Sequence, residues 1–400
     1  MINQTYQFIT NNQQLTDYCQ EILANPETTW IAIDTEFVRV DTYYPQLSLV
    51  QIQDPMGNAA IIDPIAIANN DKKCPESSFL NPLVDVLVSN KVTKVFHSAR
   101  QDIEVLYQLE ERMPQNIFDT QIAAVFKKHG DLAGFARVIK AELGVELDKS
   151  QTRTNWHARP LTDKQIKYAL DDVRYLAPLY TKFLQELTNE QIAAVNCDTE
   201  KMLQAELYTI NPKEAGARIK NLKGLRAKGI AIVNALAEWR EIYAIQHNTP
   251  KKWTISDDVI IQIAKRPPKT VQALYKVPNI KSSSVKEFGE QWIELIDEVF
   301  QQDVDSLPAP PLKLARASQQ EERTMQFLNS YIQQVCDDYQ LTPSHVINKD
   351  QLLSFIRNPH APFLDGWRHV LLGLDLLQLL NGEASLRFLK QKIELTSSLN

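Results

Sequence analysis

The hydrophobic period changes once along this chain, and that change constrains the fold more than any single residue does. In the first part, apolar residues come in short β-branched runs whose side chains alternate between two faces, as in a strand. Residues 30 to 63 read as three strands, separated by turns at Tyr44-Pro45 and at Pro55-Met56-Gly57-Asn58. Val92 to Phe96 and Ile117 to Phe118 read as short buried strands, each followed by a helical stretch, which predicts a mixed sheet with helices packed on it. From about Leu161 onward, helical spacing runs almost without interruption. The expected fold is α/β first and all-α afterward.

Four hundred residues exceed one ordinary core, so two or three domains are expected. Two breaks divide the helical part: Asn211-Pro212, and the Pro-rich stretch SLPAPPL from Ser306 to Leu312, which reads as an extended linker. The expected segments are 1–205, 211–298 and 313–395. Cys19, Cys74, Cys197 and Cys336 lie far apart without paired spacing, which points to reduced thiols in a cytoplasmic protein and excludes a zinc cluster. MINQTYQFITNNQQ has no charged region followed by an apolar stretch, so no secretory signal is expected. The longest apolar stretch, Val370 to Leu380, is broken by Asp375 and is too short to span a bilayer. A soluble protein is expected, and without a coiled-coil repeat a monomer is the default.

Five residues in three separated segments carry the chemistry. In WIAIDTEF, strand alternation puts Asp34 and Glu36 on one face. Two adjacent carboxylates repel unless a cation lies between them or one takes a proton, and a hard divalent ion with oxygen ligands resolves the conflict. In YALDDVRYL, helical spacing puts Tyr168 and Asp172 one turn apart on one face. Asp102, in KVFHSARQDIEVL, belongs to the start of a helix, where a negative side chain also favours the helix dipole. Each piece alone has a plain structural explanation. Their order (strand, strand-to-helix, helix) lets all of them converge on the edge of one sheet.

DTEF, HSARQDIEVL and YALDDVRYL resemble the three exonuclease motifs of the DEDD superfamily, in the subclass where a Tyr precedes the last Asp by four residues. VRVDTYYPQLSLVQIQD and RPLTDKQIKYALDDVRYL are similar to the bacterial ribonuclease D family, over roughly residues 1 to 205. The resemblance implies a ribonuclease H-like α/β fold and a 3′ to 5′ exoribonuclease with two divalent ions, magnesium or manganese. It implies that Asp34 bridges the two ions, that Glu36 and Asp172 complete the site of the ion that activates water, and that Asp102 supports the second ion through water. In-line cleavage of a phosphodiester needs a nucleophile made near neutral pH and charge stabilisation at the leaving oxygen, which two ions about 4 Å apart supply. Tyr168, a neutral phenol with a reference pKa of about 10, is assigned to orienting the attacking water.

GLRAKGIAIVNALAEWREIYAIQHNTPKKWTISDDVIIQIAKRPP looks like an HRDC domain, and DDYQLTPSHVINKDQLLSFI with FLDGWRHVLLG resembles the same module more faintly. Asn279 follows Pro278 where that family often has Gly, and Asn tolerates the left-handed backbone such a turn needs.

Several residues have two roles open. His97 fits substrate contact and also a cap or core histidine. Tyr43 and Tyr44, beside Gln46, fit stacking on a terminal base and equally a packed hairpin. Trp156 and Arg159 lie in an aromatic and basic loop before the last catalytic helix, where Arg159 fits a phosphate grip or a loop brace.

Charge is unevenly divided. Residues 211 to 286 hold 15 Lys and Arg against 5 Asp and Glu, inside a chain whose net charge is -6. Such a module suits a polyanionic partner, with RNA expected along Lys213, Arg218, Lys220, Lys223, Arg226 and Lys228, and along Lys251, Lys252, Lys265, Arg266 and Lys269. Residues 287 to 400 hold 9 basic against 16 acidic residues, so the last module is expected to brace rather than grip. The leading expectation is trimming of structured RNA such as tRNA precursors, a substrate the resemblance supplies. A 3′ to 5′ DNA exonuclease is the alternative, since only a 2′-hydroxyl contact separates the two. A non-catalytic RNA-binding protein would lack one of the five motif residues, and none is missing.

Overall fold

The apolar runs form one six-stranded sheet in the order β1-β4-β3-β2-β5-β6. The strands are β1 (Tyr6–Ile9), β2 (Trp30–Val38), β3 (Gln46–Gln53), β4 (Ala59–Ile62), β5 (Thr93–Phe96) and β6 (Ile117–Asp119). β1 runs parallel to β4, β3 antiparallel to β4, and β5 parallel to both β2 and β6, so the sheet is mixed as expected. This computed structural model describes residues 6–70, 79–303, 307–308, 315–359 and 364–397. Cys74 and all of the Pro-rich stretch except Leu307 and Pro308 lie outside the described residues.

Helices α1 (Asn12–Ala24), α2 (Pro64–Asn70), α3 (Asn81–Val88), α4 (Arg100–Tyr107), α5 (Thr120–Phe126) and α6 (Phe135–Leu143) connect the strands or follow the last one. The long helix α7 (Asp163–Glu186) opens with a capping box: Gln165 N–H donates to Thr162 Oγ1 and Thr162 N–H to Gln165 Oε1. Its first turns pack Ala169 and Leu170 on Leu49, Ala59 and Ile61. Farther along, Val173, Leu176, Ala177 and Tyr180 join the cluster of Ala32, Val95 and Phe118. With both stretches buried, the rotation of α7 is fixed, and so are the positions of Tyr168 and Asp172. Helix α8 (Asn189–Glu200) follows.

The chain divides into two units. The second comprises Arg39–Gln46 and Ala205–Lys313, and its helices are α9 (Ala227–Gln246), α10 (Lys251–Thr254), α11 (Asp257–Lys265), α12 (Val271–Leu274) and α13 (Ser282–Gln301). Ile232, Val233, Leu236, Ile260, Ile263 and Trp292 form its core. Asn279 adopts φ +62°, the left-handed turn expected for it.

The first unit includes residues 314–400 as well as the nuclease segment. Helices α14 (Gln319–Tyr339), α15 (Pro343–Val346) and α16 (Lys349–Arg357) contribute Leu328, Ile332, Val346, Leu352 and Phe355 to the cluster that holds Val173, Phe183 and Val195. Polar ties reinforce the contact. Buried Asp198 accepts the Trp367 N–H at 2.8 Å, and Lys201 bridges Asp198 and Asp365 at 2.6 and 2.5 Å. Gly366 is required there, because its φ is +55° and a Cβ would lie 2.0 Å from an Asp198 oxygen.

Two expectations need correction. The segment 313–395 does not stand apart as a third domain; its apolar faces find their partners on α7 and α8. The C-terminal region is also not helical throughout, since β7 (Ala384–Leu389) and β8 (Lys392–Ser397) form an antiparallel hairpin. Leu386, Phe388, Ile393 and Leu395 do alternate there, but the turn residues Lys390 and Gln391, at φ +48° and +66°, are not the Asn-Gly type that marks such turns.

Candidate active site

The side chains of Asp34, Glu36 and Asp172 converge so that one carboxylate oxygen from each lies within 4.8 Å of the others. The first two come from alternate positions of β2, and the third from α7 packed across the sheet. They line a cavity of about 210 Å³ together with Thr35, His97, Phe135, Thr152, Tyr168 and Leu176. Asp102, in the first turn of α4, stands beside the three rather than among them, and accepts a hydrogen bond from Thr35 Oγ1 at 2.5 Å. Strand β2 thus presents two acids to the cavity and, between them, a hydroxyl that fixes another.

Electrostatics make this arrangement costly without a counter-charge. Burial, followed by the Asp171 and Asp102 carboxylates, pushes the Asp172 carboxyl up to about 8. Burial and the charges of Asp34, Asp172 and Asp102 push Glu36 up to about 10. Asp34 and Asp102 also rise well above the usual carboxylate range, mainly through burial and then through Asp172 and Asp34 respectively. A divalent cation held by these oxygens would remove the repulsion that protons otherwise relieve. The donor set is all oxygen, which fits a hard ion and lacks the Cys or His ligands zinc prefers.

Tyr168 reaches the same cavity, with its hydroxyl 3.4 Å from Thr152 Oγ1 and its ring 5.9 Å from the ring of buried Trp156. Burial and the charge of Asp172 push its phenol above its ordinary value, so it stays neutral. His97 lines the wall with both ring nitrogens engaged, by Thr120 Oγ1 at 2.9 Å and by the Ala133 carbonyl at 2.8 Å, and its ring lies against Phe135. Burial lowers its pKa, which favours neutral imidazole there.

Arg159 has its fork on Asp63, at 2.6 and 2.8 Å, and donates further to the carbonyls of Ser48, Trp156 and Ala158. These bonds brace the loop before α7. Tyr43 belongs to the second unit, where it is 7% exposed and donates its hydroxyl to Glu241, while its backbone N–H donates to Asn248 Oδ1. Its ring meets Tyr44 edge to face, so it is packed and not open for a base to stack on. Gln46, exposed, opens β3. Lys213, Arg218, Lys220, Lys223 and Arg226 are exposed on the second unit, as are Lys252, Lys265, Arg266 and Lys269. Lys228 lies over the Phe300 ring, and Lys251 turns inward to Glu241 at 3.4 Å. Sequence reasoning did not single out Thr35, Phe135 or Thr152; of these only Thr35, between two acids, carried a signal.

Residues 6–188 match a family described as 3′-5′ exonuclease, and residues 230–296 match the HRDC domain. Ribonuclease D of Bartonella henselae is 30% identical over 375 residues, covering 92% of this chain and 89% of that protein. The chain belongs to the ribonuclease D family. Ribonuclease D of Escherichia coli is 29% identical over 384 residues, covering 94% and 98% of the two chains. Its crystal structure superposes with a TM-score of 0.77, over 94% of this chain and 99% of that one. The catalytic core of RRP6 from Trypanosoma brucei, at 21% identity and a TM-score of 0.52, shares the fold. This family member is a 3′-5′ exoribonuclease with a mixed-sheet nuclease core and helical C-terminal region. Its superfamily depends on divalent metal, for which the acidic cluster offers ligands.

Proposed function

We propose that the chain removes nucleoside 5′-monophosphates stepwise from the 3′ ends of structured RNA such as tRNA precursors, as a cytoplasmic monomer. The observation that carries this reading is the convergence of Asp34, Glu36 and Asp172 with Tyr168 in one cavity. Asp34, Glu36 and Asp172 would hold two magnesium or manganese ions, with Asp102 supporting them through water. When bound, such ions supply a metal-activated water and charge stabilisation at the leaving 3′ oxygen.

The chain's own residues do the rest. Tyr168, kept neutral, orients the attacking water by its hydroxyl, while Trp156 behind its ring limits where that hydroxyl can go. Thr35 holds Asp102 in one rotamer. Lys223, Arg226, Lys228 and Lys252, with the other basic residues of the second unit, retain the body of the RNA through its phosphates. The E. coli relative is described as an exoribonuclease involved in structured RNA processing, which favours a structured substrate.

The test is digestion of a 3′-extended tRNA and a matched single-stranded DNA, by wild type and Asp34→Asn, with magnesium, manganese or chelator. Stepwise mononucleotide release from RNA, dependent on metal and absent in the variant, is expected. Equal or faster loss from DNA would replace this reading with a DNA exonuclease.

A further inference from the structure

We propose that the corner of the second unit around Trp253 is a subsite for single-stranded RNA, where one base stacks on the indole and its flanking phosphates pair with Lys252 and Lys281. The site refines the reading that the second unit retains RNA, and rests on it. Three tryptophans lie in this unit. Trp239 and Trp292 belong to one aromatic cluster with Tyr243 and Phe288 in or against the core. Trp253 is 48% exposed, although burial of an indole is among the larger apolar gains a small module can make.

The short helix α10 explains the exposure. Lys251 turns inward, 3.4 Å from the buried carboxylate of Glu241 and 5.8 Å from the Tyr43 ring centre. Thr254 is buried, and its hydroxyl donates to the Lys251 carbonyl at 2.8 Å. The inward pair anchors α10 and leaves Lys252 and Trp253 on the outside. The start of α13 approaches from the other side, where Lys281 Nζ donates to the Lys252 carbonyl at 3.4 Å and Ser284 Oγ to the Trp253 carbonyl at 3.5 Å. Lys252, Trp253 and Lys281 are thus all exposed, with the Lys281 ammonium at the backbone of the residue before Trp253.

Next to this corner is a cavity of about 720 Å³ within the same unit, with Arg218, Lys251 and Lys252 in its lining. Of the three acids in its lining, Asp257 pairs with Arg240 at 2.7 Å and Glu241 with Lys251. The third, Asp258, faces the charges of Arg39, Arg218 and Lys252 in the same lining, so the balance there stays positive and suits a phosphate. Every base has a π face, so an aromatic near lysines binds a strand with little sequence preference, whereas duplex RNA hides its base faces in the stack.

The experiment uses the full chain with metal chelated, so that nothing is cut, and measures anisotropy with a short oligouridine and with a blunt RNA duplex. Trp253→Leu keeps an apolar side chain and removes the stacking face; it is expected to weaken oligouridine binding about tenfold and to leave duplex binding unchanged. Trp253→Phe should restore most of the affinity but lose the indole quenching expected when oligouridine binds the wild type. A second variant, Lys223→Ala with Arg226→Ala, tests the wider basic surface separately. If that variant weakens binding and Trp253→Leu does not, the subsite is refuted while the basic grip stands. If Trp253→Leu weakens both RNAs equally, or Phe fails to restore binding, stacking is refuted. If only the Trp253 variants act, the subsite holds and the wider grip falls.

Discussion

Replacing Arg159 by methionine separates two roles that its sequence left open. Asp63 is 1% exposed and takes both arms of the Arg159 fork, while the same guanidinium ties the Ser48, Trp156 and Ala158 carbonyls together. Removing one partner of a buried pair costs about 3–5 kcal/mol, because the other charge stays buried without compensation. The Arg159 side chain is 21% exposed, and Asp63 keeps one hydrogen bond from the Ala66 N–H at 2.9 Å, so the lower end applies. We expect a loss of about 3 kcal/mol, which lowers the urea midpoint by about 1 M or more. Arg159→Lys should recover little of it, since one ammonium cannot reproduce a planar fork. Turnover should fall with stability, because the released loop carries Trp156, which backs Tyr168. Unchanged urea unfolding together with a raised KM for RNA would refute the brace and make Arg159 a phosphate contact.

Other expectations are shorter to state. Asp34→Asn and Asp172→Asn should each abolish cleavage while RNA binding under chelation stays within about threefold of wild type; cleavage at the wild-type rate in either would remove the site. Tyr168→Phe should lower kcat at least about tenfold, or ~1.4 kcal/mol of transition-state stabilisation, with KM little changed, since only the hydroxyl is lost. Glu36, at about 10, and Asp172, at about 8, bind their protons more tightly folded than unfolded. Their contribution to metal-free stability is therefore present at low pH and lost as pH rises through 8 and 10. Magnesium should accordingly raise Tm more at alkaline pH than near pH 5, and an equal gain at both would contradict the repulsion described here. Removing residues 315–400 should leave a first unit that aggregates or unfolds at lower temperature, because Val195 and Phe183 lose apolar partners; a truncated protein with unchanged Tm would show that the shared cluster contributes nothing.

The acidic face was legible because its residues obey local periods. Alternation placed Asp34 with Glu36, a helical turn placed Tyr168 with Asp172, and the structure gathers three of these acids in one cluster. Asn279 was legible for a similar reason, since its left-handed backbone is a property of one residue. What escaped was long-range pairing. Tyr43 donates to Glu241, 198 positions away, and nothing near Tyr43 indicates that its loop belongs to the other unit. The same holds for Asp131, which accepts from Thr342 and His345, and for Asp198, which accepts from Trp367. Lys94 is a local surprise. It lies in a buried strand with its ammonium on the carbonyls of Ser89 and Val92, and burial lowers its pKa to about 7. A lysine inside an apolar run reads as an exposed strand position unless those carbonyls are known.

Because residues 314–400 complete the core begun by α7 and α8, order along the chain is not order of assembly. On a ribosome adding about 5–20 residues each second, some ten to forty seconds pass between the emergence of residue 204 and that of the last helices. During that interval the nuclease segment carries its whole set of acids but presents an open apolar face. The basic unit, encoded between the two halves, can close its own helical core first. A nascent chain of this kind would meet chaperones through its nuclease half, and would finish the core beneath α7 and α8 only after the basic second unit could have folded.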